Sequence, residues 1–136
     1  MCYNPRMKTT LTFDVKLYGK GRPQKGKHSM YTPHKTRNME SLIADMARLQ
    51  FKHEPLTGPL RVDWEFVFEH PKSWSKKRKA ETYWHTSKPD FDNIMKLVGD
   101  ALNGIVWHDD SQICTGGYSK HYGDKACVKI IIDTDI

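Results

Sequence analysis

The sequence predicts an α+β domain, a mixed four-stranded sheet with two main helices, and three observations carry that reading. Apolar residues alternate strictly in two stretches, they recur at helical spacing in two others, and the segments run strand, helix, strand, basic insert, helix, strand, strand. A period of two marks a half-buried strand and a period near 3.6 an amphipathic helix. Helices laid against a mixed sheet bury every one of these apolar faces.

The first strand spans residues 10–18, with Leu11, Phe13, Val15 and Leu17 on one face. A polar loop, 19–34, follows and carries Lys20, Arg22, Lys25 and Lys27 among glycines and prolines. Met39, Leu42, Ile43, Met46 and Leu49 then recur at helical spacing, so residues 36–52 form an amphipathic helix. Residues 55–59, bounded by two prolines, end it. Leu60, Val62, Trp64, Phe66 and Phe68 mark the second strand. The stretch 71–88 is polar and basic, a short helix within a mobile loop. A second long helix covers 89–103, its core face made of Phe91, Ile94, Met95, Val98, Ala101 and Leu102, and Asn103-Gly104 stops it. Residues 112–121 and 125–133 read as two strands joined by a tight turn at Gly123-Asp124, with Gly116-Gly117 marking a bulge or bend.

A chain of 136 residues without internal repeat or linker is expected to be one domain, 1–136. Its 38% hydrophobic and 11% aromatic content suffices for a core and excludes global disorder. Lys and Arg number 22 against 16 Asp and Glu, a net charge of +6, which favours a polyanionic partner. No apolar run is long enough to span a bilayer, and the first residues lack a signal peptide's apolar core. Cys2, Cys114 and Cys127 are odd in number and lack CxxC spacing, so neither a disulfide framework nor a zinc ribbon fits. Free thiols belong in a reducing compartment, and the cytoplasm is the expected location.

The most informative segment is Ser87-Lys88-Pro89-Asp90-Phe91-Asp92-Asn93-Ile94-Met95-Lys96. Asp90 and Asp92 stand at the mouth of the second helix, with Phe91 between them directed to the core. A helix N-terminus favours carboxylates as anions, which suits them as hard oxygen ligands. Asp92 and Lys96 share the exposed face, roughly 5–6 Å apart at Cβ. Asp109 and Asp110 follow the helix, whose length of about 15 residues, roughly 22 Å, separates the two acidic clusters. Asp110 approaches Asp90 only if residues 105–108 run back along the helix. Each feature also has an ordinary reading: a helix cap, a surface ion pair, a solvated turn. Clustered carboxylates repel one another unless a cation neutralises them, which sets the combination apart.

The segments Lys88-Pro-Asp90-Phe-Asp92-Asn93-Ile-Met-Lys96, Asp100-Ala-Leu-Asn-Gly104 and Asp109-Asp110-Ser-Gln112-Ile113 resemble the RusA family of Holliday junction resolvases, the crossover junction endodeoxyribonucleases. A weaker echo lies in Gly21-Arg22-Pro23 and Tyr31-Thr-Pro33. The resemblance touches most of the chain, and residues 88–113 are its specific part. It implies a RusA-like fold and a homodimeric, Mg²⁺-dependent endonuclease, with Mn²⁺ as a substitute, that resolves four-way DNA junctions by paired nicks in recombination and repair. The family's three metal-holding aspartates fall on Asp90, Asp92 and Asp110, and its lysine on Lys96. Pro89 departs from relatives that carry a basic residue there, so Lys88 or the basic insert supplies that charge.

Phosphodiester hydrolysis needs charge neutralised at phosphorus and an activated water, which carboxylate-held Mg²⁺ provides. On this chemistry Lys96 orients the water or stabilises the oxyanion as a fixed positive charge. Asn93 and Asp100 are candidate supports for these groups, with a plain helix-surface role as the alternative, and His108 is incidental. DNA phosphates are expected to meet Arg22, Lys25, Lys27, Lys72, Lys76, Lys77, Arg78, Lys79 and Lys88. Trp74, Tyr83 and Trp84 interrupt this charge and either stack on opened bases or pack beneath the loop, packing being the stronger alternative for Trp84. No small-molecule substrate and no membrane is implied. Two rival functions stand beside this one: a nuclease of the same chemistry acting on other branched DNA, and a non-catalytic basic nucleic-acid-binding module.

Overall fold

The computed structural model of the chain describes residues 6–17, 24–25, 30–31 and 34–136, and side-chain surroundings for 6–17 and 37–136. Its centre is strand β4, Leu60–Glu69, numbered after β1 (Lys8–Phe13) and the short β2 (Gln24–Lys25) and β3 (Met30–Tyr31), which pair only with each other. Helix α1 is His34–Gln50, α2 is Lys76–Glu81 and α3 is Phe91–Leu102. A single 3-10 turn, Asp110–Gln112, leads into β5 (Ile113–Thr115), β6 (Tyr118–Gly123) and β7 (Cys127–Asp133).

The main sheet is mixed. β7 lies antiparallel between β1 and β4, while β5 and β6 both run parallel to β4 on its other edge. It is therefore four strands wide, as expected, but has five strands because the last column is broken. The break is Gly116, at φ +136, where an added Cβ would overlap the Val62 carbonyl oxygen. Only a residue without a side chain lets the chain press so close to β4 and then turn. The expected tight turn at Gly123-Asp124 joins strands that do not pair with each other: β4 lies between them, and the chain crosses its end through residues 124–126. The reason is that β4 is apolar enough to be a central strand and takes a partner on each edge.

Alternation decides the burial. Leu11 and Phe13, Val62 to Phe66 at every second position, and Val128, Ile130 and Ile132 form one apolar face, each at most 5% exposed. Val15 and Leu17 continue it beyond the end of β1. Register stacks Leu11, Ile130 and Trp64 across three strands. Helices α1 and α3 cover this face and pack on each other. In α1 the buried residues are Ile43, Ala44 and Ala47, with Met39 and Met46 half-buried, whereas Leu42 and Leu49 are 47% and 74% exposed. The buried stripe is thus narrower than the apolar pattern implies. Two small alanines let α1 approach its neighbours and turn both leucines outward.

In α3 the buried residues are Ile94, Leu97, Val98, Gly99, Ala101 and Leu102. Phe91 was expected in this core and is instead 44% exposed, and Met95 is half-buried. Replacing Gly116 by alanine is expected to lower stability by about 2–4 kcal/mol, since backbone must shift to admit one methyl. A thermal or urea melt indistinguishable from the parent protein would contradict this account of the split edge.

Candidate functional site

Two devices bring Asp110 back to α3. Past Leu102 the chain reverses at once: Ile105 and Val106 N–H donate to the Leu102 carbonyl, and Gly104 N–H donates to Trp107 O at 2.7 Å. Val106 and Trp107 are wholly buried, and the Trp107 indole N–H donates to Asn103 Oδ1 at 2.9 Å. The segment thus runs back beside the helix as the approach of Asp110 required, but only as far as Gly99, so Asp110 shares a cleft with Asp92 and not with Asp90. Gln112 supplies the second device. Its Oε1 accepts from the N–H groups of His108 and Asp109, and its amide donates to the carbonyls of Leu56 and Gly58. Asp109 completes the turn by accepting from Ser111 N–H at 3.0 Å, and the Ser111 hydroxyl, followed by this N–H, holds its carboxyl below the usual carboxylate range. Asp109 is thus the cap of the 3-10 turn.

The result is that the Asp110 carboxylate rests on the backbone of Gly99, where an added Cβ would lie 3.2 Å from Oδ2. Asp92, Lys96 and Gly99 are spaced i, i+4, i+7 and form one stripe of α3, about 10 Å from end to end. Lys96 does not form the ordinary surface ion pair with Asp92 that their spacing allows. Its ammonium lies 3.1 Å from Asp100 and 3.5 Å from Asp110, which holds its pKa above the usual lysine value, chiefly through Asp100. Side chains on a helix lean toward its N-terminus, so Asp100 reaches back to Lys96 while Asp92 leans away. Asp92, Lys96, Gly99 and Asp110 line one cleft of about 340 Å³, floored by Trp64 and Ile113.

Asp90 caps α3 by position, yet its side chain makes no capping hydrogen bond. It meets Lys88 Nζ at 3.1 Å and lines a second, larger cleft of about 740 Å³, which shares Phe91 and Asp92 with the first. The lead-in to Asp90 is held by Lys120 of β6, a residue that sequence reasoning passed over. Its ammonium donates to Ser87 O at 3.0 Å and Pro89 O at 2.6 Å, and burial lowers its pKa. Nothing in the local pattern marks Lys120, because its partners are backbone carbonyls 31 and 33 positions away. Gln112 stood out only through its resemblance and not through its bonds, and Gly99 carried no signal of its own.

Among the described residues, no group of three or more His, Cys, Asp or Glu side chains is gathered closely enough to hold a metal ion as it stands. The 10 Å stripe explains this spacing. The donors nonetheless fit Mg²⁺ in kind: they are carboxylate oxygens only, Asp92 and Asp110 on one cleft and Asp90 on the adjoining cleft, which also includes Asp92. Mg²⁺ commonly takes one or two carboxylates and completes its shell with waters and phosphate.

The basic insert stands apart. Ser75 caps α2 by accepting from Arg78 N–H at 3.1 Å, and none of α2 is buried, so Lys76, Lys77, Arg78 and Lys79 lie on the surface with Lys72. Arg78 covers Trp74 at 3.9 Å, and Trp74 packs on Tyr122 and is half-buried. Trp84 is 61% exposed and Tyr83 stacks on His121. The tryptophans thus reverse their expected order: Trp74 packs and Trp84 stands out. Arg22 and Lys27 lie outside the described residues, and so does the side chain of Lys25.

Known sequences resemble the chain along most of its length. A family model described as Endodeoxyribonuclease RusA matches residues 14–133. The "Uncharacterized protein YqaN" of Bacillus subtilis (strain 168) is 36% identical over 122 residues, covering 82% of this chain and 86% of that one. Gln112→Ala should cost about 0.5–1.5 kcal/mol, because it removes the side chain that ties two N–H groups and two carbonyls of the turn together, most of them within reach of water. A urea midpoint equal to the parent's would show that Gln112 does not hold the turn.

Proposed function

The chain belongs to the RusA family of endodeoxyribonucleases, and from that premise we propose that it is a Mg²⁺-dependent, cytoplasmic endonuclease that resolves four-way DNA junctions by paired symmetric nicks in recombination and repair. One observation carries the catalytic reading: Asp110 returns to α3 and faces the same cleft as Asp92, with Lys96 beside it.

Asp92 and Asp110 would hold the metal, with Asp90 joining from the adjoining cleft. Mg²⁺, or Mn²⁺ in its place, would neutralise charge on the scissile phosphate and activate the attacking water. The remaining work falls to the chain's own groups. Asp90 and Asp92 stand at the N-terminal end of α3. Lys96, kept charged by Asp100 and Asp110, presents a fixed ammonium to the developing negative charge. Asp100 thereby acts through Lys96. Lys72, Lys76, Lys77, Arg78, Lys79 and Lys88 draw the phosphate backbone toward the clefts, with Arg22, Lys25 and Lys27 on the first loop assigned the same role. A homodimer fits the near two-fold symmetry of the junction and gives each of two opposed strands its own site. No described helix is long and apolar enough to cross a membrane.

Asp92→Asn and Asp110→Asn should each retain junction binding and lose cleavage by about a hundredfold or more, several kcal/mol of stabilisation being removed. Lys96→Ala should cut about 10²-fold more slowly while Mn²⁺ still binds. Full cleavage by any of the three contradicts the assignment. A panel of junction, fork, flap and linear duplex substrates tests selectivity, and equal cutting of linear duplex sinks the resolvase reading. Reversing the charges of Lys76, Lys77 and Lys79 should flatten the salt dependence of binding by about 0.9 in log–log slope for each phosphate no longer neutralised. An unchanged slope removes α2 from the DNA surface.

A further inference from the structure

Phe91 sits between Asp90 and Asp92 in sequence, and it does not enter the core. It stacks face to face on Tyr118 of β6, with ring centroids 4.6 Å apart and planes 7° from parallel. The rings remain 44% and 50% exposed, so each keeps an outer face in water. Trp84, 61% exposed, lines the same 740 Å³ cleft, and Phe91 is a wall of both clefts. Elsewhere the aromatic rings of this region satisfy one another: Phe68 stacks on His85, and His70 on Tyr122. Trp84 meets Tyr83 only edge-on, at 4.7 Å between centroids, and Phe91 and Tyr118 cover one another on one side alone, so this cleft holds three aromatic residues that stay 44–61% exposed.

We propose that the cleft between Phe91–Tyr118 and Trp84 is a stacking site for one unpaired nucleobase of the DNA strand whose phosphate lies at Asp90 and Asp92. The proposal rests on the nuclease reading and adds a specific subsite to it. A base inside a duplex offers no free face, so only an unstacked base can occupy such a site. Branch points supply such bases without the full cost of opening a helix. Stacking accepts any base, because every base has a π face. The hydroxyls of Thr86, Ser87 and Ser119 line the same cleft and can meet a base edge. Lys120 lies there too, tethered to Ser87 O and Pro89 O, so its positive charge is held in place beside the entering strand. The position of Phe91 joins the two events: a nucleotide stacked on it has its backbone against the carboxylates on either side.

The test uses a four-way junction carrying 2-aminopurine at the branch point, and a control with the same base inside an arm, bound without divalent metal. The parent chain should change the fluorescence of the branch-point probe and leave the arm probe unaffected. Phe91→Leu and Tyr118→Leu should each abolish that change and weaken binding by about fivefold to a hundredfold. Phe91→Tyr, which keeps a ring, should preserve both. An undiminished signal in Phe91→Leu overturns the proposal. So does dissociation of a dimer by Phe91→Leu in sedimentation, because the rings would then be covered by a second copy of the chain. The nuclease reading fails separately: a parent chain that shifts the branch-point probe but cuts no junction with Mg²⁺ keeps the stacking site and loses the catalytic assignment.

Discussion

The contact between the Asp110 carboxylate and the backbone of Gly99 is the constraint on which the site depends. A helix of 12 residues ordinarily carries the chain away from its own start. Here the reversal after Leu102, the burial of Trp107 and the bracket of Gln112 bring it back, and the missing side chain at position 99 lets it come close. Without that seat, Asp92 and Asp110 would be two unrelated surface charges. With it they line one cleft, and Lys96 has an anion on either side.

The electrostatics follow from this placement. Lys96 is answered by Asp100 one turn on and by Asp110 across the turn, so the stripe alternates in sign. Asp92, at the positive end of the helix, belongs to no such pair with Lys96. Asp90 is steadied from the other side, where Lys120 ties down the segment that leads to it. Two lysines on different elements thus govern the geometry of two carboxylates, one through a side chain and one through backbone carbonyls. The stripe keeps the acids spread out, an arrangement that suits a hydrated cation and a phosphate between them better than a closed protein cage.

Much of this was legible in the residues. The alternation at 11–17 and 60–68 placed the inner face of the sheet, and the residues Asp90, Asp92, Lys96 and Asp110, singled out in the sequence, lie along α3 from its N-cap to Gly99. Two errors share a cause. Phe91 was assigned to the core and Leu42 and Leu49 to the buried stripe, because helical periodicity says which residues share a face and not what that face meets. Phe91 is turned out by its partner Tyr118, on a strand that follows much later in the chain. The stretches 112–121 and 125–133 looked like a hairpin because they are adjacent in sequence, yet β6 and β7 each pair with an opposite edge of β4. Lys120 and Gln112 hold backbone carbonyls far away in sequence, and such bonds leave no local pattern.

The central claim is that two segments far apart in sequence face a single divalent cation. Paramagnetic broadening by Mn²⁺, read residue by residue on backbone amides, addresses it directly. Sub-stoichiometric Mn²⁺ should erase the signals around Asp92 and Gly99 together with those around Asp110, and excess Mg²⁺ should restore them. Broadening that spares either segment, or that gathers elsewhere on the chain, would contradict the account.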